Sequence, residues 1–248
     1  MSEIALVTGA YGTLGQAVAE QLADSGYRLA LSGRDAEKLA AMTVPEALKI
    51  PAELADPDQV EQLFQALIDA YGEPPTLLAH CAGSVLIRPL HRTSAEQFRA
   101  CLDSNLSSAF FVLQGFIQQL LQAKQPGQAV LVSSVAAKIG INNHAAIAAT
   151  KGGIEALVRT VAATYSAQGI RCNAIAPALM KTGATQGLFA GEKAEKMLAA
   201  QYPLGRYGEV SEAAGLICWL LSEEAAWITG QTIALDGGFS AVRPLVKH

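Results

Sequence analysis

Short, continuous apolar runs alternate along this chain with longer segments of helical period. Residues 4–7 (Ile-Ala-Leu-Val), 27–32, 47–52, 76–82, 130–132, 169–177 and 227–238 form the runs. Runs of this length, closed by glycines or polar turns, read as strands buried on both faces of a parallel sheet. Between them, residues 59–71 put Val60, Leu63, Phe64 and Leu67 on one helical face, and 209–222 repeat the amphipathic pattern. Segments 16–25, 36–42, 94–122 and 144–167 complete the helices. The alternation predicts an α/β fold: a doubly wound, mainly parallel sheet of seven strands with helices on both faces. At 248 residues the chain is expected to form a single domain, 1–248. Residues 183–207 are Gly/Ala-rich and show no single face throughout.

Composition narrows the function classes. Half the residues are hydrophobic (51%), 16% are charged, and the net charge is −4 with both signs scattered. No basic stripe points to nucleic acid. No apolar run approaches the ~18–20 residues that span a bilayer, and the chain enters its first strand at once, so neither a membrane anchor nor a signal peptide is expected. Cys81, Cys101, Cys172 and Cys218 lie far apart without C-x-x-C spacing, as buried thiols of a reducing cytoplasm do, and no metal site is expected.

Candidate chemistry begins at Thr8-Gly9-Ala10-Tyr11-Gly12-Thr13-Leu14-Gly15, between the first strand and the first helix. Glycines there let backbone N–H groups approach a phosphate, and the helix N-terminus adds its positive dipole end. The same string also makes a tight turn. Its place between strand and helix points to a Rossmann-type dinucleotide loop. In such folds an acid ending the second strand binds the adenosine ribose and selects NAD. Gly33 stands there, and Arg34 follows with a fork of donors suited to a 2′-phosphate. NADP(H) is therefore favoured. NAD(H) stays open through Asp35, which otherwise caps helix 36–42. His80 falls inside a strand, where a hydrogen-bonded core histidine is expected.

Residues 130–134, Val-Leu-Val-Ser-Ser, end a strand in two hydroxyls. The Ala-rich helix 144–153 then carries one cation, Lys151, on an apolar face. Lysine is rarely buried without a partner, so Lys151 is expected to reach a polar site. Ser134 lies thirteen residues before position 147, and Lys151 four after it. With Ala82-Gly83, the segment 103–110 and the C-terminal segment 227–238, these residues resemble the short-chain dehydrogenases/reductases, in particular their 3-oxoacyl-acyl-carrier-protein-reductase-like members. The resemblance spans residues 4–239. It implies hydride transfer between a nicotinamide and a small-molecule carbonyl or alcohol. It gives Ser134 the polarising role, Lys151 the binding of nicotinamide ribose, and Asn105 a kinked helix position whose carbonyl holds a water. It assigns cofactor contacts to Gly9, Tyr11, Gly12, Thr13, Leu14, Gly15, Arg34, Glu53, Leu54, Ala82, Gly83, Lys151, Pro177, Met180 and Thr182. It makes 183–207 a substrate lid, and it pairs helices 94–122 and 144–167 across a homodimer or homotetramer contact. Smaller departures are Thr13 and Ala178, where relatives more often carry glycine, and His80-Cys81, where they carry two asparagines.

The large departure is position 147. Relatives place there the tyrosine that donates a proton to the developing alkoxide; this chain has Ile147, which can neither donate nor accept. Three readings follow. Another donor serves: His144, three residues earlier on the same helical side, or a water held by Ser134, Lys151 or Asn105. His144 also reads as an exposed first-turn residue. Alternatively the chain binds nucleotide without redox chemistry, as a sensor or partner subunit. The third reading is different chemistry in the same cradle.

Overall fold

The computed structural model describes residues 3–243; the expected domain bounds, 1–248, reach past them at both ends. Seven parallel strands form one sheet in the order β3-β2-β1-β4-β5-β6-β7. In chain order the strands are β1 (Ile4–Thr8), β2 (Arg28–Gly33), β3 (Leu48–Pro51), β4 (Leu77–His80), β5 (Gly127–Val132), β6 (Ile170–Pro177) and β7 (Thr232–Leu235). The helices are α1 (Thr13–Asp24), α2 (Ala36–Ala40), α3 (Pro57–Tyr71), α4 (Ala95–Leu102), α5 (Ser108–Ala123), α6 (Ala145–Tyr165), α7 (Glu192–Ala199) and α8 (Val210–Leu221). This is the expected Rossmann-type doubly wound architecture. Strand order reverses between β1 and β4, and ligands of such sheets bind where the strands' carboxyl ends part.

The apolar runs of β1, β2, β4, β5 and β6 are continuous because each of these strands feeds two cores. In β1, Ile4 and Leu6 face the core shared with α3, α5 and α6, while Ala5 and Val7 face the core shared with α1 and α8. Phe64 and Phe116 fill the first core and are fully buried. Among the described residues no helix is long and apolar enough to cross a membrane.

The stretch expected over 94–122 is helical throughout, and the expected kink at Asn105 takes the form of a π-helical turn, Asp103–Ser107, between α4 and α5. Two sequence expectations change. The last strand is four residues long, not twelve. Gly230 turns left-handed (φ 72°) before it, Gly237 and Gly238 do so after it, and Trp227 is wholly exposed outside it. The segment 183–207 contains a regular helix, α7.

His80 is buried as expected, and its hydrogen bonds fix its tautomer. Ser108 Oγ donates to the Ser104 carbonyl (3.0 Å), so it accepts from His80 Nε2 (3.4 Å). Nδ1 is then the acceptor for the Thr8 hydroxyl at 2.9 Å. Burial, and secondarily the Lys151 charge, lower the imidazole pKa from 6.5 to about 3. The unfolded chain therefore binds a proton that the folded one refuses between those values, and stability rises with pH across that window. The melting temperature should climb between pH 4 and 6.5 and climb less steeply in His80→Asn. Parallel slopes in the two proteins would rule out a neutral, buried His80.

Candidate active site

The carboxyl ends of β4, β5 and β6, with Leu14 of α1, open into one cavity of ≈ 440 Å³. It collects eleven of the singled-out residues: Leu14, Ala82, Gly83, Asn105, Ser134, His144, Ile147, Lys151, Pro177, Met180 and Thr182. Gly9, Tyr11, Gly12, Thr13, Gly15, Arg34, Glu53 and Leu54 do not line it. They sit in the β1–α1 loop and beyond β2 and β3.

Lys151 is 7% exposed, and its Nζ donates to the Val132 carbonyl at 2.8 Å, tying α6 to the end of β5. Burial lowers its pKa from 10.5 to about 8. An ammonium has three donors, so the bond to Val132 leaves two for the cavity. The two hydroxyls that end β5 differ. Ser133 is buried and lies 3.0 Å from the Glu155 carboxylate and 3.3 Å from the Lys151 carbonyl, so its proton is engaged. Ser134 Oγ accepts the Ala136 N–H at 3.2 Å, and its own proton remains to donate.

Asn105 lies inside the π-turn and is fully buried. A π-turn interrupts the regular hydrogen-bond ladder and often marks a functional position. The Asn105 amide accepts from the Ser84 N–H at 3.3 Å and donates to the Ser84 and Cys101 carbonyls at 3.2 and 2.9 Å. The loop after β4 is thus held to the kink. Gly83 makes this packing possible, because a Cβ there would lie 2.8 Å from Asn105 Oδ1 and 3.4 Å from Lys151 Nζ.

Ile147 is 4% exposed and packs with Cys101, Ala136 and Ala146, so hydrocarbon fills the space around it. His144 is the N-cap of α6 but makes no capping bond. Its Nδ1 lies 2.6 Å from the Asn142 carbonyl. A carbonyl only accepts, so Nδ1 carries the proton and Nε2 is the nitrogen left to exchange one. Asn143, in a left-handed turn (φ 64°), accepts from the Arg88 N–H at 2.7 Å and joins this loop to the one after β4.

The β1–α1 loop fits a phosphate. Gly12 caps α1 without a side-chain bond, and the first turn holds no acid. Gly9 is left-handed (φ 64°), and a Cβ on it would lie 2.6 Å from the Ala82 nitrogen; one on Gly15 would lie 2.3 Å from the Gly9 carbonyl oxygen. Small residues alone let the loop fold so tightly against β4 with its helix N–H groups free. At the end of β2, the Tyr11 ring lies against Gly33, 2.5 Å from where a Cβ would stand, with Lys38 Nζ 5.9 Å from the ring centroid. Asp35 caps α2, as expected. Exposed Arg34 and half-buried Glu53 approach to 3.9 Å, so two expected nucleotide contacts face each other. Leu54 is buried in the core with α3. Met180 is mostly buried, its carbonyl accepting from Thr185 Oγ at 2.5 Å, and Thr182 lies 3.1 Å from that same hydroxyl. Sequence reading missed Tyr202, which also lines the cavity. Its position before Pro203 in a turn carried no signal of a site.

A family model described as enoyl-(acyl carrier protein) reductase matches residues 9–240. The 3-oxoacyl-[acyl-carrier-protein] reductase FabG of Staphylococcus aureus is 32% identical over 245 residues, 96% of this chain and 98% of that protein. Among solved structures, a short-chain type dehydrogenase/reductase from Mycobacterium ulcerans superposes with a TM-score of 0.88 at 28% identity, covering 98% of this chain and 92% of the other. An actinorhodin polyketide ketoreductase variant with NADPH gives 0.91 at 25%, covering 97% and 98%.

Gly83→Ala should press its methyl on the Asn105 amide and destabilise the protein by roughly 1–3 kcal/mol, the usual cost of overpacking. An unchanged melting temperature would contradict the Gly83–Asn105 contact.

Proposed function

The chain belongs to the short-chain dehydrogenase/reductase family, and on that footing we propose that it interconverts a carbonyl and an alcohol using NADP(H), with a proton donor other than the family tyrosine. The general part, oxidoreductase chemistry with an NAD(P)-type dinucleotide, follows from membership. The observation that carries the finer reading is the retained cluster of Ser134, Lys151 and Asn105 around one cavity, with Ile147 in its wall.

A bound nicotinamide dinucleotide supplies or accepts the hydride. The N-terminus of α1 and the Gly9–Gly12–Gly15 turn would hold its pyrophosphate, and Lys151 would hold the nicotinamide ribose. Ala82, Gly83, Pro177, Met180 and Thr182 would border the nicotinamide end. Ser134 keeps its proton and donates a hydrogen bond to the substrate carbonyl oxygen, polarising and orienting it. General acid–base catalysis contributes about 10²–10⁴-fold, and alignment of the reactants supplies much of the rest. His144 Nε2 is the donor assigned here: charged, it gives a proton to the alkoxide; neutral, it takes one from an alcohol. Arg34 favours the 2′-phosphate of NADP over NAD, once the phosphate displaces Glu53 from it.

The chain folds as a single domain in this reading, with residues 183–207 as the lid over the substrate. Exposed Phe98 on α4 and Phe110 on α5 support pairing of two or four copies through these helices. The reading also keeps the expected cytoplasmic location. A second reading draws on Ile147 itself. Buried hydrocarbon where a phenol would act favours a nucleotide-binding sensor or partner subunit that turns over no substrate.

NADPH oxidation across a broad carbonyl panel tests the reading. His144→Ala should lower kcat by about 10²-fold or more, and Ile147→Ala should lower it far less. Equal, mild effects would sink the histidine role, and tight NADPH binding without any turnover would favour the sensor. NADPH should raise the melting temperature more than NADH does, and Arg34→Ala should narrow the gap; the reverse ranking would overturn the Arg34 argument.

A further inference from the structure

Away from the strand ends the cavity is lined largely by hydrocarbon, including Val85, Ile87, Ile141, Leu188, Leu198 and Phe239, with Ser84, Thr185 and Gln201 set among it. Tyr202 is a further polar group in this wall. It is 9% exposed, and its ring leans on Phe239 with centroids 5.2 Å apart. Its hydroxyl accepts the Leu179 N–H at 3.2 Å. A hydroxyl carries one proton of its own, and among the described residues none accepts that of Tyr202. The phenol is therefore locked by a bond it accepts, with its proton left for whatever fills the cavity.

We propose that Tyr202 determines specificity by donating this proton to a second oxygen acceptor on the substrate, so that the preferred substrate is an apolar carbonyl compound carrying a further oxygen acceptor. The proposal rests on the oxidoreductase reading above. Two donors then grip two acceptors. Ser134, at the exit of β5 beside Lys151, takes the reacting carbonyl. Tyr202, anchored to Leu179 just past the exit of β6, takes the other oxygen.

The physical argument is one of satisfaction. An alkyl substrate that expels water from this wall leaves a buried O–H unpaired, whereas an oxygen placed there restores the bond. Sites built to hydrogen-bond a substrate group reject analogues lacking it more strongly than apolar pockets reject an extra methylene. Burial raises the phenol's pKa, as does the nearby Asp236 more weakly, against the lowering effect of the Leu179 N–H. Tyr202 thus stays protonated, a donor throughout the neutral range.

Tyr202→Phe removes the hydroxyl and little else. It should be compared with the wild type on two matched sets of ketones: alkyl ketones, and ketones of equal length bearing a keto, ester or hydroxyl oxygen. In the variant, kcat/KM for the oxygen-bearing set should fall about five- to hundredfold, mainly through KM. The alkyl set should hold steady or improve, and NADPH affinity should be unchanged. Equal losses on both sets, or none on either, would overturn the proposal. Binding of both sets to the NADPH complex, followed by NADPH fluorescence, separates this from the parent reading. No turnover by the wild type would defeat the oxidoreductase reading alone, while a selective loss of binding in Tyr202→Phe would still support the hydroxyl's role. Uniform binding, or binding by neither set, would end it.

Discussion

An ammonium group inside a protein is the constraint around which this site is arranged. Removing a cation from water is costly unless dipoles or charges replace the lost hydration. For Lys151 the Val132 carbonyl, at the open end of β5, is one replacement. The descent of its pKa to about 8 records how much hydration is lost. Its neighbours are fixed by contacts of their own: Gly83 lacks a side chain where Asn105 Oδ1 packs, and Ser133 ties the end of β5 to α6. A cation so placed has donors to spare at the point where a parallel sheet parts its strands.

Within that frame, polar groups divide into those already satisfied and those that are not. Thr8, His80 and Ser108 satisfy one another and seal the sheet beneath the cavity. Ser133 is engaged with Glu155. Ser134, His144 and Tyr202 each have one partner and one atom left over. Such incompletely satisfied groups at a cavity wall are where chemistry can be done, because a substrate can complete them.

The layered sheet was legible because its runs are continuously apolar, and burial on both faces leaves no other explanation. The cluster of Ser134, Lys151 and Asn105 was legible through spacing, since strand-end and helix positions converge wherever β5 and α6 pack. The kink at Asn105 was anticipated from resemblance; its π form was not, because one extra residue in a helical turn leaves no periodic mark in eight residues. The last strand was overextended because Gly230 reads as an ordinary strand residue until its left-handed turn is seen. Tyr202 was missed because it meets Leu179 only through tertiary folding, across a segment with no hydrophobic pattern of its own. Likewise Arg34 and Glu53 looked like two independent contacts, and only the fold brings them together.

The contact between Tyr11 and Gly33 has a consequence for how this protein can change. Position 33 is where an acid would redirect nucleotide choice, yet a side chain there would collide with a ring supplied by the preceding loop. The two positions are coupled: a side chain at position 33 is accommodated only if the Tyr11 ring turns aside or is replaced by a smaller group. A change at this strand end is therefore a change at two positions, one on the strand and one on the loop that precedes the first helix.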